Sequence, residues 1–340
     1  MRNFVLICAL AATLYSCKKS DLVVEPNTDN LEDGSLYTVS ALKSSQSFAG
    51  ADEDYNVLGY GYDLAMPYAD SASIRASVVD IRKLKSEWSN AVDLSLASFG
   101  GPKVITAANA ESYASDYSSR IKLTEGQKFF KSSLSSFYPE ADAFSSKYIY
   151  GAFDAVVQLK QVKFAMLQGI QSYLKPSFLN DAVSLSPEGL VKKYGTHILN
   201  NISLGMKFSA VYQAQTKTAD RVSASKKGLS IGVRRFFNSP IWQTDYTELQ
   251  SADGNYNQKL RYKAYGADLS LIRKVYNAAT ADSVVKLDEW LQSGNKKNAA
   301  LIDIVDLVPL YELLPEGAKR DALKGYITNY LKQNEVHLQD

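Results

Sequence analysis

The stretch VKKYGTHILNNISLGMKF, residues 191–208, joins a helix-like pattern to a strand-like pattern through a short corner. Upstream of it, Ser186 is a residue type preferred at a helix N-cap, and Pro187 suits the first helical position. Gly195 is a typical helix stop. Downstream, residues 207–217 (KFSAVYQAQTK) alternate between two faces, as a half-buried strand does. The sequence therefore predicts a helix, a corner at Gly195 and then a strand.

The corner contains His197, one of only two histidines in the chain. A catalytic histidine needs a serine or an acidic partner at a defined spacing, and none stands near it. A metal site needs further ligands, and the other histidine is the distant His337. The sequence has neither a Walker motif nor G-x-S-x-G. We therefore interpret His197 as a hydrogen-bonded structural residue and expect no enzyme activity, no cofactor and no metal.

The composition is that of a folded protein that does not bind nucleic acid as its main partner. The chain has 340 residues, of which 46% are hydrophobic and 22% are charged. This balance excludes wholesale disorder. Lys plus Arg number 38 and Asp plus Glu number 36, so no strong basic excess is available for phosphate binding. The 22 tyrosines favour a wide, half-exposed β-surface.

The N-terminus, MRNFVLICALAATLYSCKKSD, predicts export and lipidation. Its apolar run over residues 4–14 is too short to span a bilayer, so residues 1–16 are expected to be a signal peptide. Leu14-Tyr15-Ser16-Cys17 resembles the bacterial lipobox, in which the cysteine is diacylated. The alternative is a plain secretory signal with an accidental cysteine. With Cys17 lipidated, we expect the protein to be anchored in the cell envelope, at the outer membrane or surface of a Gram-negative bacterium, or to be secreted or carried on vesicles.

The rest of the chain predicts a tether followed by one domain. Residues 17–50 are polar and poorly periodic, which is typical of a tether, and residues 51–340 form the predicted domain. Within the domain, residues 147–164 alternate over an unusually long strand, and alternation returns in 258–272. The long strands bracket two insertions, about 106–146 and 218–256. Such long insertions are expected to have a structure or function of their own.

The four residues Tyr194, Gly195, Thr196 and His197 resemble the Y/F-G-T-H element of the membrane-attack-complex/perforin (MACPF) family. Gly205, in the strand that follows, fits the same pattern. LGYGYD (58–63), with Gly59 and Gly61 as bend glycines, resembles an early strand of that family. The sequence departs from the pattern at Ile198, where an aromatic residue is usual, and at Met206, where a second glycine often stands. The resemblance implies an α+β, MACPF/cholesterol-dependent-cytolysin-like fold: a bent and twisted four-stranded antiparallel sheet flanked by two helical clusters.

The resemblance also implies a function. Members bind a lipid membrane, assemble into a ring-shaped homo-oligomer and unfold two helical clusters into membrane-spanning β-hairpins, here about 106–146 and 218–256. Phe236, Phe237 and Trp242 could then contact the membrane, or they could pack the cluster onto the sheet. We expect a pore-forming effector, an antibacterial or host-directed toxin, with a surface receptor or glycan as a further partner. The alternative is a non-lytic, surface-anchored adhesion or binding protein.

Overall fold

The computed structural model describes residues 37–43, 54–237, 254–277 and 282–339. The predicted signal peptide, Cys17 and Trp242 lie outside the described residues. Eleven strands occur in the part of the chain that is described: β1 (Tyr37–Ala41), β2 (Tyr60–Tyr62), β3 (Ile74–Ser77), β4 (Val92–Ser95), β5 (Phe99–Ala107), β6 (Tyr148–Phe164), β7 (His197–Thr216), β8 (Asn255–Tyr265), β9 (Arg273–Asn277), β10 (Asp282–Lys286) and β11 (Ala300–Pro309).

Eight α-helices occur in the same described ranges, and short 3-10 turns connect several of them. The helices are α1 (Ile81–Glu87), α2 (Ala110–Ser118), α3 (Lys131–Ser135), α4 (Pro176–Ser184), α5 (Pro187–Tyr194), α6 (Arg221–Phe236), α7 (Asp288–Gln292) and α8 (Ala318–Gln333).

The centre of the fold is an antiparallel sheet in which β5, β6, β7 and β8 lie side by side. This confirms the predicted four-stranded antiparallel core. Five further strands extend it, so that the main sheet of the described residues has nine strands. Of these, β11 pairs with the first half of β7, and β4 pairs with the last residues of β6. The strands β9 and β10 form a separate two-stranded sheet.

Two expectations about these strands were incomplete. The alternating pattern of residues 207–217 marks only the second half of β7, which is 20 residues long and begins at His197. Both halves of β7 are largely buried, so exposure does not separate them. The second half alternates because its two faces differ in chemistry, with Lys207, Ser209 and Gln213 on one and Phe208 and Tyr212 on the other. Part of the predicted tether is also structured, because Tyr37–Ala41 pairs in parallel with β8.

The central strands change neighbours at Gly205. Up to Gly205, β7 pairs with β11, and from Lys207 onward it pairs with β8. Opposite Gly205, β6 has a register shift between Gln158 and Lys160. A Cβ atom on Gly205 would lie 2.0 Å from the carbonyl oxygen of Val157. The bulge and the close approach place a local bend in both strands at this point.

The two faces of the central sheet differ in chemistry. One face, here called the charged face, carries Asp154, Lys207, Ser209 and Lys263. The other, here called the aromatic face, carries Phe153, Phe208, Tyr212 and Tyr262. The pairing register assigns these residues to their faces, because directly opposite residues share a face.

The two insertions cover opposite faces of this sheet. The first segment, residues 108–147 between β5 and β6, contains α2 and α3 and packs on the charged face. The second segment, residues 217–254 between β7 and β8, contains α6, which packs on the aromatic face. These bounds differ by about two residues from those predicted. No helix of the described residues is both long enough and apolar enough to cross a membrane.

Candidate functional site

The corner at residues 194–197 begins where α5 ends. The Ser186 side chain accepts a hydrogen bond from the Gly189 N–H at 3.1 Å, and Pro187 occupies the first turn, as the sequence predicts. Helix α5 ends at Gly195, whose φ of +76° lies in the left-handed region that favours glycine. A Cβ atom on Gly195 would lie 2.5 Å from the carbonyl oxygen of Tyr62. Both the conformation and the close approach therefore require glycine.

Thr196 ties the corner to two other parts of the chain. Its N–H donates to the carbonyl oxygen of Tyr62 at 2.9 Å, and its carbonyl oxygen accepts from the N–H of Leu310 at 3.0 Å. Its hydroxyl oxygen accepts from the N–H of Leu64 at 3.2 Å. The corner thus joins the start of β7 to the segment after β2 and to the turn after β11.

His197 is held inside this junction. Its Nδ1 lies 3.0 Å from the hydroxyl oxygen of Thr196, and the residue is 5% exposed. Burial lowers the pKa of His197 to about 3, so the ring is neutral at pH 7. Within the described ranges, no group of three or more His, Cys, Asp and Glu side chains is placed to hold a metal ion. These contacts are those of a hydrogen-bonded structural histidine.

Gly59 and Gly61, expected to be bend glycines, both lie where other parts of the chain approach the backbone closely. The strand β2 is three residues long, and Gly61 lies opposite Ile198 at the start of β7. A Cβ atom on Gly61 would lie 1.9 Å from the carbonyl oxygen of Tyr194. Gly59 has a φ of +71°, and its N–H donates to the carbonyl oxygen of Leu199 at 2.9 Å. Gly61 therefore allows β2 to approach the corner closely, whereas Gly59 makes room for the side chains of Val79 and Phe164.

Replacing Gly61 tests how much the close approach contributes to stability. Gly61→Ala is expected to lower the free energy of unfolding by about 3 kcal/mol or to prevent folding, because the new methyl group meets backbone atoms that cannot rotate away. Gly101→Ala is the matched control, since a Cβ atom there meets nothing within 4 Å. It is expected to raise the free energy of unfolding by about 0.5–1 kcal/mol, because alanine loses less conformational freedom on folding than glycine. Urea denaturation measures both values. Equal stability of the two variants would contradict the assigned close approach.

The first segment is attached to the charged face by a buried ion pair. An Arg120 guanidinium nitrogen lies 2.7 Å from the Asp154 carboxylate, and the Asp154 side chain is 2% exposed. The same carboxylate accepts hydrogen bonds from the Ser209 hydroxyl at 2.6 Å and from the Tyr117 hydroxyl at 3.3 Å. In addition, the Tyr138 hydroxyl donates to the carbonyl oxygen of Val211 at 2.7 Å.

These contacts keep Asp154 negatively charged although the first segment buries it. Burial acts to raise the pKa of Asp154, but Arg120, Lys207 and the Ser209 hydrogen bond outweigh it and lower the pKa below its usual value. Burial lowers the pKa of Lys207 to about 8. The Lys207 ammonium group donates to the carbonyl oxygen of Ala69 at 3.1 Å. Removing one member of a buried ion pair leaves the other charge without compensation, which is costly.

The second segment lies on the aromatic face through small residues of α6. A Cβ atom on Gly228 would lie 2.1 Å from the Tyr212 hydroxyl, so the helix approaches the sheet closely. Phe236 and Phe237 are 6% and 1% exposed. The Phe237 ring centre lies 4.9 Å from that of Phe208, in an edge-to-face arrangement. In this state both phenylalanines pack α6 onto the sheet, and contact with lipid would require α6 to leave it.

Arg221 links the two segments to each other. Its Nε donates to the carbonyl oxygen of Ala108 at 2.8 Å. One of its terminal nitrogens donates to the carbonyl oxygens of Ser146 at 2.8 Å and Tyr148 at 2.9 Å. Arg221 begins α6, whereas its three partners lie at the two ends of the first segment. One side chain therefore holds both segments together where they leave the sheet.

The sequence analysis missed Arg120, Asp154 and Arg221, since each acts through a partner distant in the sequence. Only Asp154 has a sequence signal. It is an acidic residue within an otherwise uncharged run of the predicted strand, YIYGAFDAVVQL. Such a residue on a buried strand needs a cationic or hydrogen-bonding partner.

The comparisons with known proteins agree with this architecture. The profile of the MAC/Perforin domain family matches residues 53–338. Among curated proteins, none matches the chain. The structure of GNIP1Aa from Chromobacterium piscinae is similar, with a TM-score of 0.62 and 17% identity over 82% of this chain and 56% of that protein.

A second similar structure is that of a protein with a MAC/Perforin domain from Bacteroides thetaiotaomicron. It has a TM-score of 0.66 and 16% identity, over 84% of this chain and 62% of that protein. The chain thus spans less than two thirds of the length of either protein. At these identities the likeness shows the fold. Since the family profile covers most of the sequence and the corner, the sheet and the two segments have the expected arrangement, this chain belongs to the MAC/Perforin domain family.

Proposed function

We propose that the protein is a non-enzymatic effector that binds a lipid membrane, assembles with copies of itself into a ring and inserts both segments as β-hairpins. One observation carries the proposal. The first segment connects β5 to β6 and the second connects β7 to β8, each an antiparallel neighbour pair. Both segments leave the sheet at the same end, because Tyr148, the first residue of β6, lies opposite Gln215 near the end of β7. Each segment could therefore become a hairpin by continuing a strand pair that already exists.

The lengths of the segments support this proposal. Each contains about 40 residues. A strand that crosses a bilayer needs about 9–11 tilted residues, so a spanning hairpin needs roughly two dozen. Hairpins from neighbouring copies must pair with one another, since backbone groups left unpaired in lipid are costly. Ring assembly is thus a physical requirement of this insertion.

The location follows from the predicted lipoprotein signal. With Cys17 lipidated, the protein would be anchored in the cell envelope of its producer, at the outer membrane or cell surface. To act as a toxin on competing bacteria or host membranes it would need release, for instance on vesicles. A surface receptor or glycan would then direct it to the target.

One observation favours a second candidate, a surface-anchored protein that adheres or binds without lysis. Ala107 lies opposite Tyr150, so these two residues share a face of the sheet. If the first segment extended both strands in the same register, its residues would alternate between the two faces. Glu140 and Asp142 would then share the face of Tyr150, whereas the opposite face would also carry charged residues, among them Asp116, Arg120 and Lys122. A lipid-exposed face of a transmembrane hairpin is normally apolar. Charge on both faces makes insertion of the first segment costly.

Dye release from liposomes of defined composition separates the two candidates. The experiment uses lipid-free protein carrying Cys17→Ala, with electron microscopy of the same vesicles. We expect dye release together with ring-shaped assemblies. Membrane binding without either would favour the adhesion candidate. The absence of both leakage and rings on every membrane tested would contradict the pore-forming proposal.

A further inference from the structure

A short stretch of chain after α8 lies across the first segment. Helix α8 ends at Gln333, and residues 335–339, here called the strap, continue from it. The Val336 N–H donates to the carbonyl oxygen of Lys128 at 3.0 Å, and Val336 is 1% exposed. Lys128 lies between α2 and α3, in the middle of the first segment. The strap is therefore packed into the domain at this point.

Glu111, in the first turn of α2, is a second anchor for the strap. Its carboxylate accepts hydrogen bonds from the Lys128 ammonium group at 2.7 Å and from the Leu338 N–H at 3.2 Å. Nδ1 of His337 lies 3.8 Å from the same carboxylate. Leu338 also packs against the hydrophobic core that the first segment shares. One carboxylate thus joins the strap to both the start and the middle of the first segment.

A third anchor lies where the first segment returns to the sheet. The Gln339 N–H donates to the carbonyl oxygen of Phe144 at 2.9 Å. The Ser146 N–H donates back to the carbonyl oxygen of Gln339 at 3.4 Å. Ser145 and Gln339 are directly paired in a parallel β-bridge. The strap therefore contacts the first segment near its start, in its middle and at its end.

We propose that the strap is a lock on the first segment, which can become a hairpin only after the strap has left it. The inference rests on the proposed function, because hairpin formation is the step that the strap would prevent. It adds to the two segments an element that lies outside both of them and governs the release of the first.

The backbone of residues 144–147 shows why the strap and the hairpin exclude each other. Strand β6 begins at Tyr148 and lies between β5 and β7, so a hairpin would continue β6 backwards through these residues. A continued strand needs its N–H and carbonyl groups for the neighbouring strands, most of all in lipid. The Phe144 carbonyl and the Ser146 N–H are already bonded to Gln339. The strap and the hairpin thus compete for the same backbone groups.

Hydrogen–deuterium exchange in solution tests the lock without a membrane. Val336→Asp is expected to expel the strap, because the buried site offers water to neither carboxylate oxygen. Amides of residues 110–147 should then exchange about tenfold faster or more, since local opening of the first segment becomes easier. Amides of α6 should exchange at the parent rate, because α6 packs on the other face of the sheet.

The matched control is Gln333→Asp, which introduces the same charge at an exposed position three residues away. It should leave the exchange of both segments unchanged. Parent-like exchange of residues 110–147 in Val336→Asp would overturn the lock. Equal acceleration of the first segment and of α6 would also overturn it, because the strap would then support the whole domain rather than one segment.

A reversible disulfide tests the consequence for leakage in the lipid-free protein. Paired strands lie about 4.8 Å apart, within the Cα separation that a disulfide spans, so Ser145→Cys with Gln339→Cys should bridge. The oxidised double variant should bind liposomes and release none of their dye, and reductant should restore release. Gln339→Cys alone is the control and should leak under both conditions, because residue 339 bonds to the first segment through its backbone. Leakage from the bridged protein at the reduced rate would overturn the proposal.

The two experiments separate the strap from the proposed function. If the parent protein never releases dye while Val336→Asp accelerates exchange in the first segment alone, the pore-forming proposal fails and the hold of the strap on that segment stands. If the parent releases dye and the bridged protein does so equally, the pore-forming proposal stands and the lock fails.

Discussion

Oxidised protein carrying Gly151→Cys and Ser225→Cys is expected to bind liposomes as the parent does and to release none of their dye. The two positions join β6 to α6 across the aromatic face. A Cβ atom on Gly151 would lie 3.2 Å from the hydroxyl oxygen of Ser225, which marks where a sulfur atom would stand. Bond lengths in a disulfide place a Cβ atom about 3 Å from the far sulfur. The same Cβ atom would lie 3.1 Å from the Leu229 side chain, so Leu229 must shift slightly as the bridge forms. The bridge should then hold the second segment on the sheet.

The loss of leakage should be complete, because the free energy of membrane binding is too small to break a covalent bond. The Ser225 hydroxyl donates to the carbonyl oxygen of Tyr150, and this hydrogen bond is lost in both redox states. Reductant should restore dye release in the same sample, which separates the effect of the bridge from that of the substitutions. Ser225→Cys alone is the matched control and should leak under both conditions. Leakage from the oxidised double variant at the reduced rate would contradict release of α6.

The long strands and the corner were predictable from local patterns. Residues 147–164 and 258–265 alternate because much of each strand separates two different environments. Gly195 was predictable because a left-handed residue at a helix end favours glycine. The bounds of the second segment followed once the strands on either side of it were recognised. Strand β5 was not recognised, since its FGGPKVITA sequence begins with residue types that are depleted in strands.

Contacts between distant residues explain what the sequence did not reveal. The ion pair of Arg120 with Asp154 joins residues 34 positions apart, and Tyr37 reaches Gly228 across 191 positions. Nothing in the local composition of residues 17–50 distinguishes the five residues of β1 from the rest of the predicted tether. Their strand structure comes from the free edge of β8, which exists only in the folded domain. Edge pairing is decided by tertiary context rather than by propensity.

The Met206 departure from the family pattern also has a structural partner. A Cβ atom on Gly294 would lie 2.2 Å from the sulfur of Met206, so this glycine makes room for the larger side chain beside the bend. The side chain of Met206 is buried. The Met206 side chain therefore fills the space that a second glycine would leave open in β7, and Gly294 leaves room for its sulfur atom.

If α6 becomes a strand in the membrane, the distance between two positions within it must increase. Spin labels on Val222→Cys and Arg234→Cys stand 12 residues apart within α6, which spans Arg221–Phe236. A helix places such positions about 18 Å apart along its axis, whereas a strand places them about 40 Å apart. The matched control is Asp321→Cys with Gln333→Cys, at the same spacing in α8, which spans Ala318–Gln333.

Pulsed electron paramagnetic resonance would be recorded for both pairs, in solution and on vesicles that have leaked their dye. We expect the α6 distance to rise from about 18 Å to about 40 Å on those vesicles, while the α8 distance stays near 18 Å. An α6 distance that remains near 18 Å on leaking vesicles would contradict it, because the membrane would then have been breached with the second segment still helical.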